Sequence, residues 1–273
     1  MVVYLAPDAF DHLYRKVGCT AADIAALRAA IYGRAFSIPL SIHTLEEILL
    51  ARKAAPQARA AQIRMLLSVS SPRTLLKPAE ELLLDDVRSF ATSGQPASPI
   101  LRGEPQNAVS AGISALLESD GEELDEDFLQ TLEVARRQRE SLGAEIAGLQ
   151  AASAAPSGGF DEYLREQAPR IAAALAGQAG VATQCEARGI NELLRVKSVR
   201  MWTGAALALA RERALDGRAP GADELGGAVH AVAAAASADA LVTDSNPLRA
   251  LASGVGVEGF TAIDLKSLLA RTA

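Results

Sequence analysis

The 273-residue sequence is poor in cysteine, histidine, aromatic residues and positive charge, and each shortage removes a class of function. Two cysteines, Cys19 and Cys185, neither in a CxxC pair, give no disulfide framework and no zinc-site spacing. The three histidines, His12, His43 and His230, form no HExxH and accompany no recognisable nucleophile motif. No GxGxxG or GxxxxGK[ST] follows an apolar run, which disfavours dinucleotide and nucleoside-triphosphate sites. Lys and Arg total 27 against 33 Asp and Glu, a net charge of −6, so broad electrostatic attraction to nucleic acid is not expected. A metal-dependent nuclease survives that exclusion, because a cluster of metal-binding carboxylates is itself acidic. No apolar run reaches the roughly 18 residues that a membrane span needs. The opening MVVYLAPD has no basic stretch, so no signal peptide is expected and the cytoplasm is the default location.

What is present alternates between strand and helix at both ends of the chain. Val2-Val3-Tyr4-Leu5 is β-branched and aromatic and stops at Pro7, which predicts a buried strand over 2–6. Helices are predicted over 8–16 and 20–32, the second opened by a Thr20/Asp23 capping box. AFSIPLSI, 35–42, is the next strand, with Pro39 marking an edge or a bulge. Helices over 45–54 and near 57–68 and a short strand at 74–76 complete the first ninety residues. The last fifty return to this pattern: a small-residue helix over 222–238, a strand over 239–243, a short helix, a strand over 259–263 and a terminal helix. The pair Gly226-Gly227 suggests very close packing of the first of these helices. Such alternation predicts a parallel sheet.

The middle differs. Residues 91–106 are rich in Pro, Gly and Ser and read as a loop; 120–128 are strongly acidic and read as a solvated helix start. Helices are predicted over 126–152, 160–176, 189–195 and 197–213, with a break at 151–160. The expected plan is an α/β domain made of 1–90 and 215–273, carrying 91–214 as a helical insertion packed on it.

Four carboxylates fall at strand ends or in first helical turns. Asp8 follows the first strand and would serve as an N-cap. Glu47 stands at N3 of a capping box begun by Thr44. Asp223, beside Glu224, opens the small-residue helix, where negative charge complements the helix dipole. Asp244 ends a strand ahead of Pro247, which suits a first helical turn. Capping alone accounts for each of them singly. Together they lie where a parallel sheet gathers its strand ends, the usual place for ligands in open α/β sheets. Hard cations such as Mg²⁺ or Mn²⁺ take oxygen ligands of this kind and can activate water for phosphodiester hydrolysis. His230, Tyr4 and Trp202 read as buried structural residues.

Three stretches resemble the PIN-domain nuclease family. VVYLAPDAFDHL resembles its opening strand, Asp-Thr-Asn tip and apolar helix. SIPLSIHTLEEILLAR resembles its second strand and the helix bearing a metal-site Glu, which places that Glu at Glu47. SADALVTDSNPLRAL resembles its late Asp-bearing strand, with GADELGGAVHA before it where another Asp is usual. The resemblance implies a three-layer α/β/α sandwich with a mostly parallel sheet and a Mg²⁺- or Mn²⁺-dependent endoribonuclease. Its substrate would be RNA, with Asp8, Glu47, Asp223 and Asp244 as catalytic and metal-binding residues. It also implies the toxin role of a toxin–antitoxin pair, with an antitoxin protein as partner, and is compatible with a homodimer. The departures are specific. Ala6 stands where the family's first metal-binding Asp belongs, and Asp244 comes one place early, with Ser245 in the usual Asp position. Two accounts fit Ala6: a natural relative that binds RNA or a protein without cutting, or an introduced Asp→Ala change that silences a nuclease.

Overall fold

The computed structural model describes residues 1–51, 56–71, 74–152, 159–217 and 219–272. The first part of the chain runs β1 (Val3–Leu5), α1 (Pro7–Arg15), α2 (Ala21–Tyr32), β2 (Leu40–Ser41) and α3 (Ile42–Glu46). A π-helical turn, Glu47–Ala51, then leads towards α4 (Pro56–Ser68), β3 (Leu75–Leu76) and α5 (Ala79–Ser93). The middle is helical: α6 (Glu104–Glu118), α7 (Glu126–Ala152), α8 (Phe160–Gln178), α9 (Ala182–Arg188), α10 (Ile190–Leu193) and α11 (Lys197–Asp216). The chain closes with α12 (Ala222–Ser237), β4 (Ala240–Val242), α13 (Asn246–Gly254), β5 (Thr261–Ile263) and α14 (Leu265–Leu269).

The chain ends meet in one parallel sheet of order β1-β4-β5, with Tyr4 opposite Leu241 and Leu241 opposite Ala262. β2 and β3 pair separately, also in parallel. Backbone bonds from Val3 N to Ser37 O (2.8 Å) and from Ser37 N to Met1 O (3.0 Å) bring the segment before β2 alongside β1. The strand predicted over 35–42 is therefore interrupted, and Pro39, which has no N–H to donate, lies within the interruption. The fold is thus α/β in the broad sense, a small parallel sheet within a mainly helical chain.

Alternation along the strands separates two apolar cores. Tyr4, Ala6 and Leu241 face a core built with α5, α7, α8, α11 and α12. Val3, Leu5 and Val242 face the other, built with α1, α2, α4, α6 and α14. Helix α12 can lie deep in the first core because Ala228, Val229 and Ala231–Ala235 bury small side chains all round it. The close approaches are elsewhere than the sequence suggests. A Cβ on Gly227 would meet Leu248 at an ordinary 3.5 Å, whereas one on Gly204 would come within 2.3 Å of Val255, and one on Gly112 within 2.2 Å of Phe128. Among the described residues no helix is long and apolar enough to cross a membrane.

Several helices differ from expectation. The 91–106 segment is shorter as a loop, because α5 continues to Ser93 and α6 begins at Glu104. Pro105 sits in the first turn of α6, where a missing N–H costs nothing. Pro169 lies inside α8 without ending it. Of the predicted 45–54 helix, residues 52–54 lie outside the described residues, as do 153–158 of the predicted break.

Candidate active site

Leu5 and Val242 are in register, so β1 and β4 end side by side and the chain leaves both into helices. A cavity of about 440 Å³ opens there, walled by the start of α1, Glu47, Arg139 of α7, the first turns of α12 and the start of α13. Ala6, Asp8, Glu47, Asp223, Glu224 and His230 all line it. Ala6 is the last residue of the β1 ladder, its N–H donating to Val242 O at 3.0 Å, and it is fully buried as the N-cap of α1. It makes no side-chain cap bond.

The four predicted carboxylates do different things. Asp8 is not a cap. Its Oδ2 accepts from Thr243 Oγ1 (2.7 Å), Asp244 N (2.7 Å) and Ser245 N (2.8 Å), clamping the turn after β4 to the start of α1. Glu47 is not at N3 of a helix, because α3 starts at Ile42 straight from β2 and Thr44 lies inside it. Glu47 instead opens the π-helical turn, a feature frequent at functional sites. Asp223 is exposed on the second turn-forming position of α12 and lines the cavity, while Glu224 Oε2 takes the N-capping bond from Gly221 N at 2.8 Å. Asp244 is absent from the cavity lining. Its carboxylate is bound to His12 Nδ1 (2.6 Å) and to Leu265 N (3.0 Å), so it ties β4 to α1 and α14. Three of the four residues therefore line the cavity and the fourth does not. Ser245 caps α13 by accepting from Leu248 N.

Sequence reasoning missed a polar network beneath the cavity. His230 Nε2 lies 2.9 Å from Glu47 Oε1, and His230 Nδ1 lies 2.7 Å from Tyr4 Oη, which is 2.9 Å from Ser41 Oγ. Burial pushes the Tyr4 phenol well above its ordinary value, reinforced by the charge of Glu47 and opposed by the hydrogen bond from Ser41. His43 is wholly buried edge-on to His230 and accepts from Ala79 N at Nε2 (2.9 Å). Burial, with His230 and Arg139 nearby, holds the His43 pKa well below 6.5. Arg139 grips the fully buried Glu46 in a two-pronged pair, Nε to Oε2 at 2.8 Å and Nη2 to Oε1 at 3.0 Å, and lies 3.8 Å from Glu47. Burial raises the Glu46 pKa against the pull of Arg139, while the bond to Glu46 raises that of Arg139. The only sequence signal for Glu46 was its neighbour Glu47, and Arg139 was one arginine among several on an unremarkable helix.

As a metal site the donor set is incomplete. Ala6 offers no side-chain oxygen, one Asp8 oxygen already accepts three hydrogen bonds, and Asp244 is engaged elsewhere. Among the described residues no three His, Cys, Asp or Glu side chains are grouped so as to hold a metal ion. The residues present do not by themselves fit Mg²⁺ or Mn²⁺. No protein-family model, curated protein or solved structure matches the chain.

Proposed function

We propose that the chain follows the plan of a PIN-type, Mg²⁺- or Mn²⁺-dependent endoribonuclease, and that the plan is incomplete at Ala6. One observation carries this reading. Ala6 ends the β1 ladder at the wall of a cavity that Asp8, Glu47 and Asp223 also line, at the carboxyl ends of two parallel strands. The sheet with helices against both faces is compatible with the three-layer sandwich that goes with it. In this form the chain binds divalent cations weakly and cuts RNA slowly or not at all. The chain's own contribution is positional: Asp8 fixes the turn after β4, and His230 and Arg139 flank Glu47.

A second reading, a non-catalytic binding module, is favoured by the hydrogen bonds that already occupy Asp8 and Asp244. An acidic cavity without a cation repels phosphate, so this module would take a protein in preference to RNA.

The two readings part in a side-by-side RNA cleavage assay in Mn²⁺ with the chain and its Ala6→Asp variant. A fixed charge-stabilising group is typically worth ~10²–10³-fold in rate, and a gain of that order is expected. If Ala6→Asp cuts no faster than the parent, the binding-module reading replaces the nuclease.

A further inference from the structure

The carboxylate of Glu47 does not hang free in the cavity; it is tied through two buried side chains to the strand beneath it. For a neutral His230 ring beside a carboxylate, hydrogen counting gives the direction. An ionised Glu47 can only accept, so the proton on the His230 ring sits on Nε2 and donates to Oε1. A neutral imidazole then has a bare Nδ1, which must accept from the Tyr4 hydroxyl 2.7 Å away. Tyr4 has one proton and has spent it, so Ser41 Oγ donates to Tyr4 Oη. His230 is 3% exposed and both its nitrogens already have partners, so at the cavity it lines it has no nitrogen left over for a bound molecule.

We propose that Tyr4 and His230 are positioning residues: a one-way chain, Ser41 to Tyr4 to His230 to Glu47, holds one Glu47 oxygen and so fixes the carboxylate at the cavity. The proposal rests on the cavity being the functional site, since only there does the orientation of Glu47 matter. Each link comes from a different element: Ser41 from β2, Tyr4 from β1, His230 from α12 and Glu47 from the π-helical turn. The chain therefore also sets the distance of α12, with Asp223 at its start, from the end of β1. Burial raises the Tyr4 pKa and so keeps its hydroxyl proton in place. The groups facing His230 are Tyr4, Glu47, the edge of the His43 ring and, beyond Glu47, Arg139. Neutral His43 and paired Arg139 add no competing acceptor to the ring.

Two measurements test the chain independently of the nuclease reading. In ¹⁵N-labelled protein at pH 7.5, long-range ¹H–¹⁵N spectra of three imidazoles, assigned by single His variants, report each tautomer directly. The expected result is a protonated Nε2 and a bare Nδ1 at His230, with the Nδ1 resonance displaced in Tyr4→Phe. A proton on Nδ1, or an Nδ1 resonance unmoved by Tyr4→Phe, overturns the proposal. The second measurement is Mn²⁺ affinity on the Ala6→Asp background. Residues that orient a metal ligand are typically worth about 10–100-fold in affinity. His230→Ala and Tyr4→Phe should lose that much, while His230→Gln, which retains an N–H for Glu47, should recover most of it. Equal losses for the Ala and Gln variants would reduce His230 to a space-filling role and overturn the proposal. An Ala6→Asp chain that binds no Mn²⁺ while His230 keeps its Nε2 proton overturns the nuclease reading and leaves the chain of hydrogen bonds standing.

Discussion

At the scale of single residues, a carboxylate that looks like a cap or a ligand in sequence can be spent on something else. Asp8 holds three donors of the turn after β4, and its removal would leave them without their acceptor. Hydrogen bonds to a charged group are worth about 1.5–3 kcal/mol, so Asp8→Ala should lower the free energy of unfolding in urea by roughly that amount. A loss below about 0.5 kcal/mol would show that the turn holds without Asp8 and would free that side chain for a ligand role. His43 offers a second test. Its folded pKa lies well below 6.5 while the unfolded value is ordinary, so the unfolded chain binds the extra proton first. Its contribution is therefore fully present above pH 6.5 and is lost as pH falls from there towards the folded value, with a slope of up to about 1.4 kcal/mol per pH unit. Glu46 and Asp86, both raised chiefly by burial, act oppositely: theirs is present at low pH and lost as pH rises. The expected signature is consequently a difference. His43→Gln should show a shallower fall in stability than the parent between pH 6.5 and 5. Parallel curves would mean that His43 titrates alike in both states.

At the scale of elements, long segments with a clear period were legible and register was not. The helices at 20–32, 126–152, 160–176, 197–213 and 222–238 appear close to their expected bounds, because each combines good helix formers with a buried stripe. Thr44-Leu45-Glu46-Glu47 misled because its capping-box spacing is real, yet the chain enters α3 directly from β2 and buries Thr44 inside the helix. Glu47 faces the cavity all the same, but the pair of Glu46 with Arg139, a contact 93 residues apart, is one that no local pattern reveals. Of the candidate site, Asp8, Glu47 and Asp223 were legible at the cavity. Tyr4 and His230 were legible only as buried, since a hydrogen-bond partner across the sheet leaves no mark in sequence. The close helix contacts are equally silent, because Gly226-Gly227 and Gly204 look alike until α13 is in place. Gly204→Ala should cost about 1–3 kcal/mol by driving a methyl into Val255, and Val255→Ala should recover most of that in the double variant. Additive losses would place the strain elsewhere.

At the scale of the whole molecule, the first core runs from Tyr4 to Phe260 and takes in α5, α7, α8, α11 and α12. The middle helices therefore share apolar contacts with the sheet instead of folding beside it. Helix α12 packs on α11, α7 and α5 as well as on β4. Thermal unfolding should accordingly be one transition, coincident in near- and far-ultraviolet circular dichroism. Two separated transitions would show that 91–214 is an independent unit. The cavity belongs to this whole as well, since its walls come from both ends of the chain and, through Arg139, from the middle.

The central claim is that Ala6 is the missing part of a cation site. Calorimetric titration of the parent and of Ala6→Asp with Mn²⁺ tests it without requiring any RNA substrate. A carboxylate at position 6 adds negative charge to a cavity already lined by Asp8, Glu47 and Asp223, which opposes the roughly 1 kcal/mol that an Asp N-cap would bring to α1. A bound cation turns that repulsion into attraction. The account predicts weak binding by the parent and affinity at least about tenfold higher in Ala6→Asp, about 1.4 kcal/mol or more. Equal, negligible Mn²⁺ binding by both forms would contradict it.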